Sequence, residues 1–169
     1  VAAVAVAVGE GRDGGQGGRQ GGGTPGRQGG APPAQLTIQM VKPGLYAILN
    51  PGANTLAVRV TSEGVILVDD MFAQNYDQII ALIKSVTDQP VKYVISTHHH
   101  GDHTGGNVQF LRYAQIMGHK NARAAMVSAT PLPGAPPLTF TTEAAIHLGG
   151  AEVQLHYVGR GHTNGDAIV

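Results

Sequence analysis

The feature that most constrains this chain is a strand–helix–strand alternation that delivers a histidine-rich loop. GVILVDD (64–70) is a short continuous apolar run ending in two carboxylates, the pattern of a strand buried on both faces. AQNYDQIIALIKSV (73–86) changes period. Its Tyr76, Ile79, Ile80 and Ile83 fall at i, i+3, i+4 and i+7, one apolar helix face that reads as core and not as a partner groove. Gln89-Pro90 ends the connection, because the residue before proline is pushed out of helical backbone. VKYVIST (91–97) is then another buried strand, and STHHHGDHTGGN (96–107) begins at its carboxyl end. That end is where ligands sit in open α/β sheets. Strands alternating with helices after residue 70 make the fold class α/β.

The flanking runs fill in the rest. LTIQMV (36–41) alternates Leu36, Ile38 and Met40 against Thr37 and Gln39, a half-buried strand. LYAIL (45–49) and NTLAVRV (54–60) follow, separated by an NPG turn. With 64–70 these four runs fit antiparallel hairpins at one side of a sheet. Downstream, VQFLRY (108–113) reads as a short helix, AQIMGH (114–119) as a strand, KNARAAMVSA (120–129) as a helix and TPLPGAPP (130–137) as a loop. TEAAIHL and AEVQLHYV flank Gly149-Gly150, a two-residue hairpin signal that sets His147 across from Glu152. His147 and His156 face outward on these strands. GRGHTNGDAIV turns back toward one more strand. Asp70 is expected to cap the helix that follows it.

Residues 1–34 differ in kind. Gly9 to Pro33 is a glycine- and proline-rich stretch that cannot bury enough apolar surface to offset its conformational entropy. It is a linker or tail, and not a phosphate loop, since no GK[ST] follows. VAAVAVAVG (1–9) is too short to span a bilayer, so no membrane span is expected there. It reads either as an arbitrary low-complexity start or as the end of a signal peptide's apolar region, with AVA as a small-residue cleavage pattern; the second would imply export to a periplasmic or extracellular space, and without such a leader the location would be cytoplasmic. Residues 35–169 are then one domain. Lys and Arg together number 11, as do Asp and Glu, so the formal net charge is zero and no basic run tracks a phosphate backbone. Nucleic acid is therefore not an expected partner. The absence of cysteine removes disulfides and thiolate ligands.

The histidines carry the chemistry. In His98-x-His100-x-Asp102-His103, extended backbone points alternate side chains the same way, so His98 and His100 converge on one point. Gly101 lets the chain bend and aim Asp102 and His103 at an adjacent one. Imidazole nitrogen and carboxylate oxygen suit zinc. A hydrolytic zinc site uses three protein ligands plus a water, so a third histidine must come from elsewhere. His162, in the glycine-flanked GRGHTNGD, is the best candidate. His99 points away from its neighbours, and His119 is polar structure near the site and not a ligand.

THHHGDHTGGN resembles the HxHxDH motif of the metallo-β-lactamase superfamily, DD at the end of 64–70 resembles its first motif, and GRGHTNGD its third. The resemblance covers about Leu36 to Val169 and implies an αββα sandwich, of which this chain holds roughly the N-terminal half, truncated at the C-terminus. A residue bridging two metals and a final histidine would lie beyond Val169. The family pattern implies that His98, His100 and His162 hold one zinc, that Asp102 and His103 begin a second site, and that Asp69 is a supporting carboxylate ordering the loop. It implies a zinc-dependent hydrolase with two Zn2+ ions, in which a metal-bound hydroxide attacks an ester, thioester, lactone or β-lactam carbonyl of a small-molecule substrate, with Asp102 positioning it and handling its proton. Alternatives on the same scaffold are a mononuclear iron oxygenase resembling persulfide dioxygenases, a non-catalytic metal-binding module, and a nuclease, which the neutral charge disfavours. Histidine at 100 departs from the glutamate typical of the di-iron oxygen-reductase branch. The chain alone is expected to be weakly active or inactive, with exposed apolar surface.

Overall fold

The computed structural model describes residues 35–128 and 131–169; the tail 1–34, with its signal-peptide reading, lies outside the described residues. Seven strands form one sheet in sequence order: β1 (Thr37–Lys42), β2 (Leu45–Leu49), β3 (Thr55–Val60), β4 (Val65–Val68), β5 (Val91–Ser96), β6 (Gln115–His119) and β7 (Leu138–Phe140). The first four are antiparallel, and β4 to β7 are parallel. Two further strands, β8 (Glu143–Leu148) and β9 (Ala151–His156), pair as a separate hairpin.

Period-two alternation explains why β4 reads as a continuous apolar run. Val65 and Leu67 join a core with Ile79 and Ile83 of helix α1 (Tyr76–Lys84) and with Phe110 of α3 (Asn107–Phe110). Ile66 and Val68 join a second core with Ile95, Phe140, Ile146 and Leu155, on the face covered by the β8–β9 hairpin. The layers are therefore helix, sheet and hairpin. Burying each of Ile79 and Ile83 stabilises the helix layer by about 1.5–3 kcal/mol.

The Gly149-Gly150 hairpin forms as expected, with both glycines at positive φ (51° and 78°) and His147 paired with Glu152. A side chain at 149 would collide with the backbone nitrogens of Ser62 and Glu63, so this tip docks on the turn after β3.

Four readings are corrected, and one strand, β7, went unread. The 73–86 helix starts as a 3-10 turn over Ala73–Asn75 and is α-helical over Tyr76–Lys84. The 108–113 helix is one turn, Asn107–Phe110. Helix α4 spans Lys120–Met126 and stops short of 129. β7 follows the proline-rich loop, a three-residue strand too short to show a period. The last segment forms an isolated bridge, Ile168 to His156, in place of a strand. At the open side of the sheet, Ile38 packs on the core, whereas Met40, still paired in register with Tyr46, is exposed.

Candidate metal centre

The carboxyl ends of β4 and β5 lie side by side, since these strands are parallel and Val68 pairs with Ile95. Asp69 follows β4 and the histidine loop follows β5. After Ser96 the chain bends through Thr97, His98 and His99, then enters a single helical turn, α2 (Gly101–Thr104). His100 is the extended residue before that turn (φ −68°, ψ 145°). Asp102 and His103 therefore sit on a helical turn, not on continued strand.

His162 arrives from a loop after β9, 62 residues from His100 in sequence, and its Nε2 lies 3.0 Å from His100 Nδ1. Ring centroids are 4.9 Å apart for His98–His100, 5.1 Å for His98–His162 and 4.8 Å for His100–His162. One nitrogen from each of the three falls within 4.8 Å of the others, and this is the one such cluster of potential ligands among the described residues. The backbone of Ala167 donates to the Thr97 carbonyl at 2.8 Å, stitching the His162 loop to the histidine loop.

The donor set fits a metal ion. His98 is buried, its Nδ1 is 3.1 Å from Thr97 Oγ1, and its Nε2 has no hydrogen-bond partner. A buried polar atom left unpaired is costly unless a ligand completes it. Burial, reinforced by His103, His100 and His162, holds the His98 imidazole down at about 3, against Asp166 acting the other way. Burial and then His99 and His162 hold His100 below the ordinary imidazole value. Both rings are thus kept in the neutral form a metal needs.

Asp69 organises the loop from below. Its Oδ1 accepts from the Thr97 backbone N–H at 2.8 Å; its Oδ2 accepts from Thr97 Oγ1 and faces His103 Nδ1, each at 2.8 Å. The residue is buried and in the left-handed region (φ 63°), a conformation a non-glycine residue keeps only when its surroundings enforce it. With Nδ1 taken, His103 Nε2 faces Asp102 Oδ2 at 3.3 Å. Burial pulls His103 down, but the Asp69 hydrogen bond and charge, with Asp102, outweigh it and raise the imidazole above its ordinary value. The backbone carbonyl of Asp102 accepts from Asn54 Nδ2, which ties α2 to the turn between β2 and β3.

The helix-cap reading of Asp70 is corrected. Its Oδ1 accepts from the Gly106 N–H at 2.8 Å, and neither Phe72 nor Asn75, at the starts of the following helical turns, makes a side-chain cap bond. The left-handed residues Asp69 and Met71 (φ 58°) turn the side chain back toward 103–106. Burial there raises its carboxyl well above the usual carboxylate range.

Asp166 went unread in the sequence. It accepts from the Thr163 N–H at 3.0 Å and from Thr163 Oγ1, closing the His162 loop on itself. Burial would raise it, but those Thr163 bonds, with His98 nearby, hold it below the usual carboxylate range. The Thr163-x-x-Asp166 spacing was the available signal. His99 lies outside the three-histidine set, with its Nδ1 buried and unpartnered. His119 is fully buried at the end of β6.

The imidazole shifts set a pH dependence for the metal-free protein. A ring held below its unfolded value keeps its proton off in the fold while the unfolded chain takes one up, so stability falls with pH. For His98 that window runs from about 6.5 down to about 3, and His100 adds to its upper part. His103 has the opposite sign: its contribution is full below the unfolded imidazole value and fades as pH rises through its raised folded value. Thermal unfolding of metal-free protein is therefore expected to show a maximum near neutrality and to lose several degrees between pH 6.5 and 4.5, at about 2–8 °C per kcal/mol. A Tm that climbs steadily over that acid range would contradict the neutral-imidazole assignment.

Comparison with known proteins agrees with this fold. Residues 50–169 match the family model described as the metallo-beta-lactamase superfamily. The chain is 28% identical over 110 residues to a metallo-beta-lactamase type 2 of Bacillus sp. (strain 170), covering 64% of this chain and 42% of that protein. Its fold resembles a metallo-beta-lactamase from Pontibacter korlensis, with a TM-score of 0.68, 22% identity, and 79% of this chain and 65% of that one covered. A HARLDQ-motif metallo-beta-lactamase from Cronobacter sakazakii gives a TM-score of 0.67 and 20% identity, covering 80% of this chain and 57% of that one. The chain thus spans roughly half the length of these relatives. Among the described residues no helix is long and apolar enough to cross a membrane.

Proposed function

This chain belongs to the metallo-β-lactamase superfamily, and from that premise we propose that it carries the metal-binding half of a zinc-dependent hydrolase. The observation that carries the reading is the meeting of His98, His100 and His162 within 4.8 Å, beside an unpartnered Nε2 on buried His98. These three would hold one zinc, and Asp102 and His103 would begin a second site. Bound zinc would supply a Lewis acid for a carbonyl oxygen and lower the pKa of a water toward about 7.

The chain's own groups do the rest. Asp69 fixes His103 through Nδ1, so that Nε2 is the nitrogen left to the site. Asp102 has a side chain 42% exposed, open enough to meet a substrate and take a proton. Asn54 and the Gly101–Thr104 turn hold its backbone. The substrate class is a small molecule with an activated carbonyl: an ester, thioester, lactone or β-lactam.

Metal analysis with a turnover panel tests this. The protein is expected to bind at least one zinc per chain and to hydrolyse one of a nitrophenyl ester, a thioester, a lactone or a chromogenic β-lactam slowly, with chelation stopping turnover and zinc restoring it. Bound iron with oxygen consumption, or failure to retain zinc, would overturn the zinc-hydrolase reading.

A further inference from the structure

His162 reaches the three-histidine cluster from a loop with no helix or strand of its own; the Thr163–Asp166 bonds close that loop and Ala167 ties it to Thr97, and contacts from outside it complete the hold. The residues after it dock on the first turn of α4. Asn121 Nδ2 donates to the Asn164 carbonyl at 2.8 Å, and Tyr157 Oη donates to Asn164 Oδ1 at 3.3 Å. Gly165 packs so closely on Ala122 that a side chain at 165 would collide with the Ala122 backbone. Asn164 is thus gripped through both its main chain and its side chain, two residues from His162.

Both grips trace back to His119. This imidazole has no exposed surface, and its Nε2 donates to the Thr141 carbonyl at 2.9 Å. That bond leaves Nδ1 as the acceptor for the Asn121 N–H at 3.3 Å, so the ring caps α4 as a single neutral tautomer. Its face lies on the Tyr157 ring, with centroids 3.9 Å apart and planes 10° from parallel, and Phe140 packs edge-on at 5.4 Å. One buried side chain therefore orients the amide and the phenol that meet at Asn164. A buried histidine serving only the core would satisfy its two nitrogens and stop there; here the partners on either side converge on one residue of the His162 loop.

We propose that His119, Asn121 and Tyr157 form a positioning strut that holds the His162 imidazole against His98 and His100, an inference that rests on reading those three as a metal site. The strut acts through Asn164 and touches no ligand of that site. Groups bonded directly to a ligand change metal affinity by about 10–100-fold when removed, and a strut one contact further out is expected at the lower end of that range.

The test is Co2+ binding by chelator competition, with the visible absorption of the bound ion, in the full chain. Asn121→Ala is expected to weaken Co2+ binding by about 10-fold or more and to shift the absorption bands. Tyr157→Phe, which keeps the ring stack and loses the long hydroxyl bond, should weaken it by a few-fold. In a His162→Ala background, whose far weaker residual Co2+ binding is read by direct titration at millimolar Co2+, the same two changes should have less than about a twofold effect, because the coupling passes through His162. Unchanged affinity and bands in both variants would overturn the strut. So would an equal loss in the His162→Ala background, which would mark a general effect on the fold. Were Asn121→Ala not to fold, Tyr157→Phe carries the same comparison. If His162→Ala itself left Co2+ binding untouched, the three-histidine reading would fail first, and the strut with it.

Discussion

His162→Ala should strip the metal from the three-histidine site while leaving the fold intact. The imidazole is exposed, so its removal opens no cavity in the core. The loop keeps its closing bonds from Thr163 to Asp166 and its tie from Ala167 to Thr97. What remains is a pair, His98 and His100, and two imidazoles hold a divalent ion far less well than three. Loss of a supporting contact already costs about 10–100-fold in affinity, so loss of a ligand should exceed 100-fold. Metal content per chain after dialysis against a weak chelator checks this, with thermal unfolding of the metal-free variant within a degree or two of the parent. Unchanged metal content would remove His162 from the site.

Asp69→Ala should do the reverse and damage the fold first. The carboxylate is 1% exposed and serves the Thr97 N–H, the Thr97 hydroxyl and His103 Nδ1. Removing it leaves two donors and an imidazole buried without a partner, a loss of about 3–5 kcal/mol. Alanine also tolerates the left-handed φ of 63° less well than an Asx residue does. Asp69→Asn separates the two effects. Asparagine accepts φ > 0 and can still take the Thr97 N–H, so most of the stability should return. Its amide, however, offers a donor where His103 Nδ1 needs an acceptor. His103 would then carry its proton on Nε2, the nitrogen that faces Asp102. The expected result is a stable protein with impaired metal uptake at His103, read by denaturant unfolding alongside metal stoichiometry. An Asp69→Ala protein as stable as the parent would show that the carboxylate does not order the loop.

Much of the frame was legible because its signals are local. β4 read as buried on both faces because Val65–Val68 alternate between two cores and leave no polar position. The Ile79/Ile83 stripe marked a helix because a one-sided core imposes a 3.6-residue period. Gly149-Gly150 marked the hairpin because its turn needs two positive φ values. Other features escaped for equally physical reasons. β7 is three residues long, and a three-residue strand shows no period. Asp70 looked like a cap because its neighbours' left-handed backbone, which turns it backward, cannot be read from residue type when the residues are Asp and Met.

By itself the sequence determined the ligand chemistry: four histidines and an aspartate within six residues at the end of a buried strand, in a chain without cysteine. It also determined which faces of β4, α1 and the β8–β9 hairpin are buried. Only the tertiary structure decided that His162 meets His98 and His100, that Asp69 holds His103, and that Asn164 is anchored to α4. Side-chain period and ligand spacing act over a few residues and are written in order along the chain. The approach of residues 62 apart depends on how β6 to β9 stack between them, and packing of that kind is a property of the whole core.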